Sequence, residues 1–321
     1  MTDTAGRAIG FATAHLLRLS GQKVGAAIMY HRVASPAGDY SRELVPNLAP
    51  ELFEAQVRHL RASYRPVRAS ELKHAAAMRR RGQRIPVAIT FDDDLACHLE
   101  VAAPVLERLG ATATFFLTGA TLEGPFRFWW EHLQHAVDSG AVETENIHAL
   151  GEEIRLAERP RRESLVRELA AVSGTGEEDS GLRAADVRRL SERGFEIGFH
   201  TRRHEYLPNL DDVALEQAMR EGRDELETAI GSRLTSIAYP HGGADARVAA
   251  AARAAGFEAG YRTGSQAIDP ASDALLLQRI EAPFTTPGRL AATLARRLLG
   301  AVRRNVARRG ARATTQPPPD R

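Results

Sequence analysis

Three adjacent carboxylates, Asp92, Asp93 and Asp94, follow a short apolar run rich in β-branched residues. Such a run is typical of a buried strand. Carboxylates this close repel one another, which raises at least one pKa unless a cation lies among them. A solvated turn, a helix N-terminus or a metal site would each accommodate the three charges.

A second stretch favours the metal site. Residues 195–199 are typical of another short strand, and His200 and His204 follow it, four residues apart. Because the carboxyl ends of parallel strands meet on one face, we expect these histidines to lie near the carboxylates. One Asp and two His are suitable ligands for a divalent metal that keeps a position open for water.

Three segments resemble motifs of the polysaccharide deacetylases with a NodB homology domain (carbohydrate esterase family four). Residues 90–94 are similar to T-F-D-D-G, residues 200–204 to H-(S/T)-x-x-H, and residues 238–242 to R-x-P-Y-G. The resemblance extends over about residues 24–280. It implies an α/β fold, a distorted (β/α) barrel of the NodB-deacetylase type, with a helical insertion between the first two motifs.

The resemblance also implies a role for each matching residue. Asp93, His200 and His204 would hold a divalent metal, with zinc as the first expectation and cobalt, nickel or iron as alternatives. Asp92 would be the catalytic base. The backbone amide of His241 would hold the oxyanion.

Three positions depart from the family pattern. Asp94 replaces a glycine, so its charge needs a partner and its side chain disfavours a turn with positive φ. Ala238 replaces the arginine of the third motif, and residues 276–279 replace the L-x-x-H motif that supplies the catalytic acid. We expect Arg279 to replace the lost arginine in part.

The catalytic acid has two candidates, His31 and His241. We assign His241 as a catalytic residue beside Asp92. The residues expected to bind substrate are His31, Tyr239, Pro240 and Arg279.

The composition is ordinary for a soluble globular protein of 321 residues, with 43% hydrophobic and 26% charged residues. A net charge of +2 gives no global reason to expect nucleic acid as a partner. Cys97 is the only cysteine, so no intrachain disulfide can form. No signal peptide is evident, and we expect a cytoplasmic protein.

Alternating strand and helix patterns favour a parallel sheet with right-handed crossovers. We expect one barrel domain over residues 1–286, with an insertion at about 119–181. The expected helices are 6–19, 50–63, 98–109, 184–193, 212–230 and 245–255; further strands are 24–30, 111–117, 234–239, 257–261 and 275–280.

Two segments leave alternatives open. The aromatic cluster around Trp129 and Trp130 would either stack on a sugar ring or pack on the barrel; packing is preferred, because adjacent tryptophans point in different directions on a helix. Residues 287–310 form a basic amphipathic helix that would close the barrel or lie on an anionic membrane. Residues 79–84 and 174–181 are expected to be loops, and residues 311–321 a disordered tail.

The resemblance implies a metal-dependent hydrolase that removes an N-acetyl group from an amino sugar, cleaving a linear amide bond. The sugar would belong to a polysaccharide, a lipid-linked glycan or a small glycoside. The lack of an evident signal peptide favours a cytoplasmic protein, and the basic helix at 287–310 favours a peripheral contact at the inner membrane face. One alternative is hydrolysis of a non-sugar amide or imide on the same barrel. Another is an inactive relative that binds glycans or a partner.

Overall fold

The computed structural model describes residues 2–35, 42–124, 126–173 and 181–314. Eight parallel strands form its centre: β1 Ala26–Tyr30, β2 Arg65–Val67, β3 Pro86–Asp92, β4 Thr114–Leu117, β5 Glu196–Phe199, β6 Ser236–Ala238, β7 Ala259–Thr263 and β8 Leu277–Glu281. Seven of them close a barrel in the order β1-β8-β7-β6-β5-β4-β3, because β1 also pairs with β3. Strand β2 pairs with the first half of β3, outside the ring. The predicted (β/α) barrel is confirmed.

Twelve α-helices surround the barrel in the described residues: α1 Asp3–Ser20, α2 Pro50–Ser63, α3 Ala69–Ala77, α4 Ala103–Arg108, α5 Trp129–Asp138, α6 Ile147–Leu156, α7 Arg159–Ser173, α8 Ala184–Glu192, α9 Asp212–Ala218, α10 Arg223–Ile230, α11 Ala246–Ala254 and α12 Pro287–Thr314. A π-helical turn, His98–Ala102, leads into α4. Helices α5, α6 and α7 form the predicted insertion. Within the described ranges, no helix has the length and apolar character needed to cross a membrane.

The barrel has separate inner and outer apolar layers. Strand β3 is buried along its whole length, and its Phe91 stacks on Phe115 of β4 with ring centroids 4.8 Å apart, facing the helices. Inside the barrel, small residues such as Ala27 and Ala88 pack with the rings of Phe116 and Tyr261. The small residues leave room in the barrel interior for one long polar side chain, that of Arg279, which is fully buried.

Two local predictions were wrong. The helix expected at 212–230 is divided into α9 and α10, because Gly222 adopts φ 81° between them. Arg79, expected in a solvated loop, is buried, and its guanidinium donates to the carbonyl oxygens of Leu17 and Gln22, each at 2.5 Å.

The C-terminal helix α12 packs on the barrel beside α1. The side chain of Asp3 accepts a hydrogen bond from the amide of Gly288 at 2.7 Å. Gly6 lets the two helices approach closely, since a Cβ there would lie 2.2 Å from the carbonyl oxygen of Gly288. The apolar face of α12, including Leu294 and Leu298, is fully buried, so it is not available to lipid.

Helix α12 continues to Thr314, so residues 311–314 of the expected tail are helical. The remainder of that tail, 315–321, and most of the expected loop, 174–180, lie outside the described residues.

Candidate active site

The predicted site residues lie where four strands end. Asp92 is the last residue of β3, and His31 directly follows β1. His200 follows β5, and His241 lies in a 3₁₀ turn that follows β6. The parallel barrel therefore brings together side chains that are up to 210 positions apart in sequence, as the motif positions predicted.

Asp93, His200 and His204 form a compact buried group. Asp93 Oδ1 lies 3.7 Å from His200 Nε2 and 3.5 Å from His204 Nε2. One ligand atom from each residue lies within 4.8 Å of the others. Asp93 Oδ1 is buried and has no hydrogen-bond partner, as expected of an oxygen that faces a cation. The three residues thus fit a single divalent metal.

His200 is held in its metal-binding form. His200 Nδ1 lies 2.8 Å from the carbonyl oxygen of Ala238, which can only accept, so Nδ1 carries the proton and Nε2 presents its lone pair towards Asp93. Burial lowers the pKa of His200 and His204, which favours neutral imidazoles. Burial and the charges of Asp92 and Asp94 raise the pKa of Asp93 well above its usual value. A bound cation would oppose that effect.

The backbone of the three motifs is strained. In the described part of the chain, the non-glycine residues with positive φ are Asp93 at 72°, Thr201 at 53°, His204 at 46° and His241 at 57°. Such conformations are costly and persist where the surrounding structure enforces them, often at functional sites. The expectation for Asp94 was wrong in one respect: the tight turn falls one residue earlier, at Asp93, so Asp94 carries no strain of this kind.

Asp94 has the partners that its charge requires. Its carboxylate accepts hydrogen bonds from the amide and the hydroxyl of Thr118, at 2.7 and 2.6 Å, and from the amide of Ala120 at 2.9 Å. Its backbone carbonyl accepts from the amide of Leu182, just after the insertion. Asp94 therefore anchors both ends of the insertion to the first motif.

Asp92 is held by Arg279 in the barrel interior. The guanidinium donates to both carboxylate oxygens, at 2.5 and 2.6 Å. Burial acts to raise the pKa of Asp92, but the charge of Arg279 and its hydrogen bonds outweigh that effect and lower the pKa to about 2. Arg279 is too deeply buried to meet substrate, so it is not the substrate contact that the sequence predicted. Its contact with Asp92 does match the expectation that it stands in for the missing arginine of the third motif.

The metal ligands open into a pocket of about 390 Å³, a size typical of small-molecule sites. His31 and His241 line it, as predicted. Tyr239 and Pro240 do not: both are buried, and the hydroxyl of Tyr239 donates to the carbonyl oxygen of Leu275 at 2.8 Å. The side chain of Tyr239 therefore faces the core and is not a substrate contact.

The insertion forms one wall of this pocket. Trp129 and Trp130 of α5 are almost fully buried, so packing is their main role, but they pack against α6 and α7 of the insertion and not on the barrel as expected. Both also line the pocket. The ring of Trp130 lies 4.5 Å from that of His204. Arg162 of α7 donates to the backbone carbonyl of His204 at 2.9 Å and so supports the second metal-binding histidine.

Several pocket residues were missed by sequence reasoning. His148, Glu152 and Arg155 of α6 all face the pocket. Their segment carries no motif and is typical of an exposed charged helix, so the sequence contains no local signal that marks them.

The two candidate acids have different surroundings. His31 Nε2 lies 3.9 Å from Asp92 Oδ2, and about a quarter of its side chain is exposed to the pocket. The ring of His241 lies 4.5 Å from that of His204, and its Nε2 has no hydrogen-bond partner. Burial lowers the pKa of both; Asp92 opposes the effect at His31, whereas the charges of Arg162 and Arg155 add to it at His241.

Solved structures of deacetylases have a similar fold. PplD, a deacetylase from Streptococcus pyogenes determined in complex with acetate, is 18% identical with a TM-score of 0.61, covering 84% of this chain and 97% of that one. A polysaccharide deacetylase from Bacillus cereus is 18% identical with a TM-score of 0.59, covering 84% and 68%. A de-N-acetylase from Aggregatibacter actinomycetemcomitans is 15% identical with a TM-score of 0.55, covering 82% and 96%.

These identities are too low to show more than the shared barrel. No curated protein sequence matches the chain. A sequence profile of the polysaccharide deacetylases matches residues 79–150 and 166–260, which is more than half of the chain and includes the carboxylate, histidine and third motifs. The chain therefore belongs to the polysaccharide deacetylase family.

Proposed function

We propose that this protein is a metal-dependent hydrolase that removes the N-acetyl group of an amino sugar. The observation that carries the proposal is the buried group of Asp93, His200 and His204 at the base of an open pocket, beside an ionised carboxylate, that of Asp92. These are the parts that amide hydrolysis needs: a metal site, a base and room for the acyl group. Family membership supports a sugar as the substrate.

Each residue of the site has a role in this proposal. A divalent cation held by Asp93, His200 and His204, zinc first and cobalt, nickel or iron as alternatives, would supply Lewis acidity and activate water. Asp92 accepts the proton of the attacking water, and the ion pair with Arg279 keeps it ionised at neutral pH. The backbone amide of His241 belongs to the turn that lines the pocket, and in this proposal it holds the developing oxyanion.

His31 is the better placed of the two candidate acids. A general acid must carry a proton that it can give to the leaving amine. Burial lowers the pKa of both imidazoles; the carboxylates of Asp92 and Glu281 oppose that effect at His31, whereas the cationic side chains of Arg162 and Arg155 add to it at His241. His31 also lines the pocket together with the metal-binding histidines. His241 remains a prediction for this role, and its position suits a contact with the acetyl group.

The pocket suits a saccharide. The indole rings of Trp129 and Trp130 supply apolar surface, and Glu152, Arg155 and Glu281 supply polar groups around it. Sugar rings need both, since their faces are apolar and their hydroxyls form hydrogen bonds.

The alternative of an inactive relative has lost its main support. It rested on the absence of an arginine at Ala238 and of a recognisable acid. Arg279 makes the contact with Asp92 that was expected of a replacement for that arginine. His31 stands 3.9 Å from the same carboxylate. Hydrolysis of a non-sugar amide has no specific observation in its favour.

Acetate release from short N-acetylglucosamine oligomers tests the proposal. With zinc added, the parental protein should release acetate and leave free amines. Asp92→Asn should retain metal but lose at least about a hundredfold in rate, the usual scale for removing a general base. Asp212→Asn, an exposed aspartate on α9, is the matched control and should keep the parental rate.

Failure of the zinc-loaded parental protein on oligomers of every length would contradict the sugar substrate. A parental rate in Asp92→Asn would contradict the assignment of the base.

A further inference from the structure

The outward face of α1 is apolar. One side of α1 carries Gly6, Gly10 and Leu17 and is buried against the rest of the protein. A helix packed in this way normally presents polar residues to solvent on its opposite side. Here that side carries large apolar residues, among them Phe11 at 63% and Leu16 at 65% exposure; the full set is Ile9, Phe11, Leu16 and Leu19.

This face belongs to a larger apolar surface with a basic border. Leu299 and Val306 of the neighbouring α12 are also exposed. Of the eleven large hydrophobic side chains that are exposed in the described residues, six therefore lie on α1 and α12. A shallow groove between the two helices is lined by Ile9 and Leu299 together with Arg296 and Arg303. Helix α12 contains eight arginines and no acidic residue in its 28 positions.

The position of α1 is fixed. Asp3 accepts from the amide of Gly288 at 2.7 Å, and Gly6 and Gly10 bring the backbone of α1 against that of α12. The end of α1 is tied to the loop before β3, because Arg79 donates to the carbonyl oxygen of Leu17. Exposure of the apolar face is therefore a lasting feature of the folded surface.

We propose that the outward face of α1 and the arginines of α12 form a docking surface for an anionic phospholipid bilayer. The apolar side chains would enter the boundary between headgroups and acyl chains, and the arginines would pair with lipid phosphates. This surface is distinct from the apolar face of α12, which is buried. Arg308 of α12 pairs with Asp269 at 3.2 Å, but Arg296 and Arg303 line the groove beside Ile9. The charge pattern favours a membrane over a second copy of this chain, because two copies facing each other through α1 would bring the Arg296 and Arg303 side chains of both copies together.

Vesicle sedimentation with the full chain tests the proposal and does not depend on catalysis. The probes are vesicles of phosphatidylcholine with 30% phosphatidylglycerol and vesicles of pure phosphatidylcholine. We expect binding to the anionic vesicles at 50 mM salt and weaker binding at 500 mM salt, because salt screens the arginines.

Two pairs of variants separate the apolar and the basic contributions. Phe11→Asn with Leu16→Asn should reduce partitioning at least tenfold, while Val213→Asn, an apolar residue 80% exposed on α9, should leave it unchanged. Arg296→Gln with Arg303→Gln should reduce partitioning onto anionic vesicles by about thirtyfold. The charge-matched control is Arg189→Gln with Arg253→Gln, on α8 and α11, which should bind like the parental protein.

Circular dichroism must show the same helix content in every variant. The proposal is overturned if the parental protein fails to bind anionic vesicles at low salt, or if Phe11→Asn with Leu16→Asn binds as well as Val213→Asn. The surface would be assigned to self-association instead if three results came together. The parental protein would be a dimer in sedimentation equilibrium, Phe11→Asn with Leu16→Asn would dissociate it, and the parental protein would not bind vesicles.

Discussion

Arg279 and Asp92 form a bidentate ion pair inside the barrel, although they are 187 positions apart in sequence. Arg279 belongs to β8 and Asp92 to β3, and the two strands lie on either side of β1. The family pattern places an arginine on β6, where this chain has Ala238. In a closed barrel, side chains that point inward from different strands near Asp92 can contact its carboxylate. The same contact can therefore be supplied by a different strand.

Arg279→Ala should therefore damage both stability and activity. Removing one partner of a buried pair leaves an uncompensated charge and should lower the free energy of unfolding by about 3–5 kcal/mol. The rate of acetate release per folded molecule should also fall at least tenfold, since Asp92 loses the group that orients it. Urea unfolding and single-turnover rates measure the two effects.

Arg223→Ala is the matched control for that experiment. Arg223 is also buried and also pairs with a carboxylate, that of Glu227 at 2.9 Å, but it lies on α10 away from the pocket. It should lose comparable stability while the folded fraction keeps its rate. Equal rate losses in Arg279→Ala and Arg223→Ala would show that Arg279 acts only through stability.

The metal site predicts that metal binding stabilises the folded protein. Because Asp93, His200 and His204 are buried and close together, a divalent ion that binds the folded chain should raise its melting temperature, and a chelator should lower it. His200→Ala with His204→Ala should abolish both the metal content and the response to the chelator. If mass spectrometry found one metal ion per chain in the purified double variant, the metal would have to bind elsewhere.

The sequence predicted those features that are coded locally. The group of Asp93, His200 and His204 follows from two short motifs at strand ends. The carboxyl ends of the strands of a parallel barrel lie on one face, whatever the length of chain between them. The contact between Arg279 and Asp92 was only a hypothesis, since nothing next to either residue marks its partner. The pocket residues His148 and Arg155 carried no signal, because their role depends on how the insertion packs on the barrel.

Leaving-group dependence should distinguish the two candidate acids. An amide needs a proton on its leaving nitrogen, whereas an activated aryl acetate ester does not. His31→Asn should therefore slow sugar deacetylation by about a hundredfold or more and change ester hydrolysis much less. His241→Asn should affect the two substrates alike if it contacts the acetyl group. The reverse pattern would make His241 the acid.

Asp94→Gly restores the family residue and should nevertheless destabilise this protein. It removes the carboxylate that accepts hydrogen bonds from the amide and the hydroxyl of Thr118, so these two buried donors lose their acceptor, and the amide of Ala120 keeps only its hydrogen bond to the Thr118 hydroxyl. We expect a loss of about 2–4 kcal/mol in the free energy of unfolding. Asp94→Asn, which keeps one acceptor oxygen, should lose less. Urea denaturation would refute this anchoring role if Asp94→Gly unfolded at the parental midpoint.

His98 should make the fold sensitive to mild acid. It is fully buried between Phe91 and Phe115, with ring centroids 5.3 Å from each, and burial lowers its pKa to about 3. The unfolded imidazole takes up a proton near pH 6.5, so between about pH 6.5 and pH 3 the unfolded state binds more protons. The stability that His98 contributes is therefore complete above pH 6.5 and is lost as the pH falls.

His98→Phe should reduce this acid sensitivity, because a phenyl ring can fill the same site between Phe91 and Phe115 and cannot titrate. The fall in the free energy of unfolding from pH 7.0 to pH 5.5 should be smaller than in the parental protein by about 1 kcal/mol. His74→Gln, at an exposed histidine on α3, should show the parental pH dependence. An unchanged fall in His98→Phe would mean that the folded protein already admits a proton at His98.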